Sequence, residues 1–165
     1  MFQTGRLIVK PQTAQLARNK DFLNKMDPYV VIILGGQTFC TQVARGQGKT
    51  PGWNDAATLN VNNDQMLVVR LFDKDRFGKD DIIGECVVPL QEVFQRGNVS
   101  NHYNLMDKGR AAGTVFLNMQ FTPSNMGMQP GMVMQPGMGY GAQMPYYQPQ
   151  PMMGGYPGGY YPYPY

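Results

Sequence analysis

Asp21 and Asp27 bracket the stretch D-FLNKM-D, and Asp73, Asp75 and Asp81 fall within D-K-D-RFGKD-D. The chain has only eleven acidic residues, and these five aspartates are nearly half of them. Neighbouring carboxylates repel and raise one another's pKa values. A hard divalent cation relieves that repulsion. Calcium does so with about 6–8 oxygen ligands at roughly 2.3–2.6 Å, and flexible aspartate-rich loops supply them. Magnesium suits the pattern less well, because it demands a rigid octahedron and keeps its waters. Five carboxylates, with backbone carbonyls such as those of Lys20 and Lys74, meet the needs of about two calcium ions.

Other chemistry for the same residues fails on spacing. Read as an EF-hand loop from Asp73, the fifth position is Phe77 and the twelfth is Gly84, where a bidentate glutamate is required. Gly48-Lys49-Thr50 has the end of a phosphate-binding loop, but its first glycine falls on Val43 and Pro51 follows. Solvated turn aspartates, favoured by Asx hydrogen bonding, are the plain alternative for the clusters. No nucleophile, base and orienting residue stand together in a recognisable order, so the chain does not read as an enzyme. A net charge of +3 without an arginine-rich stripe or aromatic platform gives no case for nucleic acid.

The elements that must hold the aspartates read as strands. Short β-rich runs alternate with turn residues. They are a first strand opened by Leu7–Val9, then Tyr29–Leu34, Thr38–Val43, Thr58–Val61, Met66–Phe72, Ile82–Pro89, His102–Leu105 and Thr114–Phe121, with one short helical stretch at Leu90–Gln95. Eight strands at this spacing predict an all-β antiparallel sandwich. Asp21 and Asp27 then lie between the first two strands, and Asp73, Asp75 and Asp81 between the fifth and sixth. Loops of a sandwich gather at its two ends, so both connections can open at the same one.

Residues 1–122 have an ordinary globular composition, while residues 123–165 do not. Beyond Arg110 there is no charged side chain, Met-Gln-Pro-Gly-Met occurs twice, and eight of the ten tyrosines follow Pro123. A segment so rich in Pro and Gly, without an aliphatic pattern, does not offset its ordering entropy. It reads as a largely disordered, uncharged tail suited to weak multivalent contacts with partners or with itself. Cys40 and Cys86 lack CxxC spacing and read as small core residues of a reducing compartment. Asn98-Val99-Ser100 is then a chance match to a glycosylation acceptor. No signal-like organisation and no apolar run of about 18 residues is evident, so the expectation is a cytoplasmic protein.

Several elements in order resemble the C2 domain family. They are Gly5-Arg6-Leu7-Ile8-Val9, Met26-Asp27-Pro28-Tyr29-Val30, Pro51-Gly52-Trp53-Asn54, Phe72-Asp73-Lys74-Asp75 and Asp80-Asp81-Ile82-Ile83-Gly84-Glu85. The resemblance spans roughly Thr4 to Thr122. It implies an eight-stranded C2 sandwich, and the late position of the Gly113–Phe121 strand implies the permuted, phospholipase-like (type II) topology. It also implies that Asp21, Asp27, Asp73, Asp75 and Asp81 ligate calcium, with Gly78 standing where some members place a serine ligand. Phe22 and Phe77 match lipid-entering positions, with Leu23 and Arg76 beside them. Lys20, Lys25, Lys74 and Lys79 add positive charge around the loops. Leu23 in particular has the competing role of loop core.

Two functions follow. One is a calcium-dependent phospholipid-binding module, peripherally associated with anionic membrane when calcium is bound, that acts as a recruitment adaptor in signalling or trafficking. The other is a calcium-independent structural or interaction protein whose tail threads along a larger assembly.

Overall fold

A computed structural model describes residues 3–17 and 26–124 of the chain. Among these residues, eight strands follow in order: β1 (Thr4–Leu16), β2 (Pro28–Leu34), β3 (Gln37–Cys40), β4 (Ala57–Asn62), β5 (Met66–Asp73), β6 (Asp81–Pro89), β7 (Asn98–Asp107) and β8 (Arg110–Pro123). A short helix, α1 (Gln91–Arg96), joins β6 to β7. All pairings are antiparallel, in the order β3-β2-β5-β6-β7-β8-β1-β4. The all-β sandwich expected from the sequence is present.

Strand alternation explains why these segments pair as they do. In β2, Pro28, Val30, Ile32 and Leu34 are buried while the residues between them are half-buried. β4 alternates Ala57, Leu59 and Val61 inward with polar residues outward. Such a period-2 pattern fixes register, because a one-residue slip turns the whole apolar set to water. The inward side chains form one core that includes Leu7, Ile32, Leu67, Leu71, Leu105 and Leu117.

The sheet folds into two halves, because β6 and β7 share only the Glu85–Met106 pair. At the opposite seam a side chain does the work of a strand. The Gln37 amide donates to the Asn60 carbonyl at 2.7 Å and accepts from the Asn60 N–H at 2.8 Å. This covers part of the open edge of β4, where bare N–H and C=O groups would invite pairing with another chain.

One local feature extends the expectation and two differ from it. β1 continues past Val9 to Leu16 because Pro11 sits at a register shift, where its missing N–H breaks no regular ladder. β3 ends at Cys40 rather than Val43, since the Thr41 hydroxyl takes the N–H of Val30 at 2.9 Å. Cys40 is exposed on this edge strand and is not a core residue, whereas Cys86 is buried. Burial pushes the Cys86 thiol up to about 11.

Gly113 marks where β1 gives way to the connection that carries Asp21. It pairs with Leu16, has a φ of +137°, and leaves no room for a side chain: a Cβ would lie 2.8 Å from the Leu16 Cα. Gly113→Ala is expected to lower stability by roughly 2–4 kcal/mol through strain and overlap with β1. Urea unfolding checks this, and an unshifted midpoint would contradict the close approach.

Candidate functional site

Asp73 continues the inward phase of β5 after Leu67, Val69 and Leu71, and is only 5% exposed. Asp81 opens β6 directly opposite, as the register partner of Asp73. Plain alternation would not give this arrangement, because Gly84, Cys86 and Val88 are the inward residues of β6. An extra residue intervenes: Leu71 pairs with Gly84, but Phe72 pairs with Ile82. This bulge at Ile83 shifts the phase by one and puts Asp81 on the face of Asp73. Like charges directly opposite each other on neighbouring strands are destabilising.

Asp27 joins them from the start of β2, since Pro28 is the register partner of Asp73. Its N–H donates to Asp73 Oδ1 at 2.7 Å, and its carbonyl accepts from the Lys74 N–H at 3.0 Å. Asp27 Oδ1 also accepts from the Gly46 N–H at 2.6 Å. The β3–β4 connection that supplies Gly46 is itself anchored. Ala44 N–H donates to the Pro28 carbonyl at 2.8 Å and the buried Trp53 indole donates to it at 3.3 Å. Trp53 is thus a structural residue that ties this connection to the start of β2.

Asp75 is half-buried just beyond β5, and its N–H donates to Asp80 Oδ1 at 3.1 Å. Sequence reasoning did not single out Asp80, although the doubled Asp80-Asp81 is a visible signal. Its carboxylate accepts from the Tyr29 hydroxyl at 2.8 Å and from the Lys74 ammonium at 3.0 and 3.2 Å. The Tyr29 hydroxyl and then the Lys74 ammonium hold Asp80 below the usual carboxylate range. Tyr29 is pushed up to about 12, by burial first and then by its bond to Asp80.

At the loop tip Phe77 is 94% exposed, between the exposed Arg76 and Gly78, whose φ is +112°. Met26, which lies among the apolar residues of the first loop, is fully buried core. Asp21, Phe22, Leu23, Lys20 and Lys25 lie outside the described residues. Among the described residues, no three acidic, histidine or cysteine side chains converge closely enough to hold a metal ion. Asp27, Asp73 and Asp81 stand at the ends of three neighbouring strands. Their donor chemistry, oxygen only, fits a hard cation.

The C2 domain family model matches residues 5–105 of the chain. The chain belongs to the C2 domain family. It is 35% identical over 122 residues to the 16 kDa phloem protein 2 of Arabidopsis thaliana, covering 73% of this chain and 83% of that one. Among solved structures, a C2 domain-containing protein from an elicitor-responsive gene is 33% identical with a TM-score of 0.68, over 77% of this chain and 95% of that one. The two consecutive C2 domains of extended synaptotagmin 2, calcium bound, are 27% identical with a TM-score of 0.62, over 72% of this chain and 46% of that one. C2 domains are generally phospholipid-membrane-binding modules, and this fold places the chain among them. Among the described residues, no helix is long and apolar enough to cross a membrane.

The Tyr29 shift has a definite pH consequence. A phenol whose folded-state pKa exceeds its ordinary value of about 10 favours the folded protein in its protonated form. That contribution is whole below about pH 10 and is lost as pH rises towards about 12. Wild type minus Tyr29→Phe, compared by denaturant unfolding across this window, should show a stability difference that shrinks with rising pH. A pH-independent difference would contradict the assignment.

Proposed function

We propose that this C2 domain is a calcium-dependent, peripheral membrane-binding module for anionic phospholipid, working as a recruitment adaptor in the cytoplasm. The observation that carries the reading is the bulge-enforced pairing of Asp73 with Asp81, with Asp27 alongside and Phe77 at the adjoining loop tip. Asp27, Asp73, Asp75 and Asp81, with Asp21 and the carbonyls of Lys20 and Lys74, are the proposed ligands. Without a cation, these carboxylates repel anionic headgroups. Calcium, when bound, supplies positive charge and coordination positions that phosphate oxygens can fill.

The remaining work belongs to the chain's own side chains. Arg76 and Lys79, both exposed, lie on the same loop as Phe77 and favour an anionic surface. Phe77 is placed to enter the interface, with Phe22 and Leu23 as partners from the first loop. The domain is assigned residues 1–122, one residue short of the end of β8 at Pro123. The uncharged Met/Pro/Gly/Tyr-rich residues 123–165 are assigned the recruitment or clustering of partners once the domain is on the membrane. Calcium in this scheme regulates attachment and activates no water.

Vesicles of phosphatidylserine and phosphatidylcholine, sedimented with calcium or with chelator, test the reading. Wild type should pellet only with calcium, and Asp73→Asn/Asp75→Asn should stay in the supernatant. Equal pelleting of both proteins under both conditions would sink the switch and favour a calcium-independent interaction protein. Phe77→Ala should weaken calcium-dependent binding by about tenfold or more, the scale of one buried phenyl group.

A further inference from the structure

Asp80 and Asp81 are adjacent, yet they point to opposite tasks. Asp81 shares the inward face with Asp73. Asp80 instead meets the hydroxyl of Tyr29, a residue of the opposite, outer phase of β2 that pairs with Phe72. The Tyr29 ring is stacked on Phe72 at 5.6 Å with 19° between the planes, which fixes the direction of its hydroxyl. Both Asp80 oxygens are engaged: Oδ2 by Tyr29 and Lys74, and Oδ1 by the Asp75 N–H and Lys74. One carboxylate therefore ties the end of the β5–β6 loop to its beginning and to β2.

We propose that Asp80, with Lys74 and Tyr29, is a positioning staple that sets the β5–β6 loop for cation binding and is not itself a cation ligand. The proposal rests on the calcium reading above. A carboxylate next to a ligand would ordinarily be taken for a further ligand. Here it faces the other side of the sheet and is saturated by three donor groups. The Asp80 hydrogen bonds hold residues 74, 75 and 80 together, and so limit the conformations open to Asp75 and the Phe77 tip. Binding then forfeits less ordering entropy.

Electrostatics and the staple make opposite predictions at Lys74. A positive charge near a cation site weakens binding through space, so Lys74→Met should tighten calcium binding if charge alone mattered. The staple requires that Lys74→Met weaken it, because Asp80 loses its counter-ion and the loop its tie. Tyr29→Phe is neutral in charge and isolates the hydroxyl.

Calorimetric titration of the full chain with calcium chloride should show affinity about three- to tenfold lower for Tyr29→Phe and Lys74→Met, the scale of one lost hydrogen bond. Lys74→Arg, which restores the ion pair, should stay near wild type. Hydrogen exchange of residues 74–80 in the calcium-free protein should quicken in Tyr29→Phe. Tighter binding by Lys74→Met, or a Tyr29→Phe protein that matches wild type in affinity and exchange, overturns the staple. A wild-type chain that takes up no calcium defeats the calcium reading instead. In that case the exchange experiment still decides whether the staple exists.

Discussion

One extra residue in β6 governs the character of this domain's working end. With regular alternation, the inward residues of β6 would lead Asp81 to the outer surface, away from Asp73. The bulge at Ile83 reverses the phase, and two carboxylates come to face each other at the mouth of an apolar core. The pairing opposes folding, because the strands bring the buried Asp73 carboxylate directly opposite the exposed Asp81. Under the proposed function, a cation turns the same closeness from a liability into a coordination site. Bulges beside functional sites re-aim side chains in this way.

The rest of the sandwich serves to keep that end open and ordered. The core fixes the registers of β2, β5 and β6, so that Asp27, Asp73 and Asp81 emerge side by side. Trp53 lies under the start of β2 and secures the connection whose Gly46 N–H engages Asp27. Backbone donors already direct the Asp27 and Asp73 oxygens. Part of the cost of arranging the carboxylates is therefore met by folding rather than by ligand binding. The far seam, where Gln37 substitutes for a strand at Asn60, contributes nothing to the site but limits unwanted edge pairing.

Much of this was legible in the chain because it rests on short-range pattern. β2 and β5 show their alternation without ambiguity, and the D-P-Y-V and D-K-D segments stand at strand ends where loop chemistry belongs. What could not be read depends on long-range partners. Leu7–Val9 marks only the opening of β1, and a register shift against β8 lets the strand run through Pro11 to Leu16. Cys40 has the composition of a core residue, yet β3 is an edge strand and leaves it in water. The Ile83 bulge has no local signature, since Asp-Ile-Ile-Gly reads equally well as unbroken strand. The role of Asp80 was not legible because Tyr29, which shares it with the nearby Lys74, comes from a segment that only the fold brings close.

Asp80 and Phe77 also bear on each other. A large apolar side chain that is 94% exposed contributes nothing to the core, and a loop containing Gly78 has little intrinsic stiffness. Membrane entry of such a tip would lose much of its gain to ordering the loop. The hydrogen bonds gathered on Asp80 at the loop base reduce that loss while leaving the tip itself without packing partners. They also use the Lys74 charge internally, so that Arg76 and Lys79 remain as the described cations of the loop available to an anionic surface. Hydrogen bonding at the base and exposure at the tip therefore coexist on one short loop, as entry of Phe77 into a membrane would require.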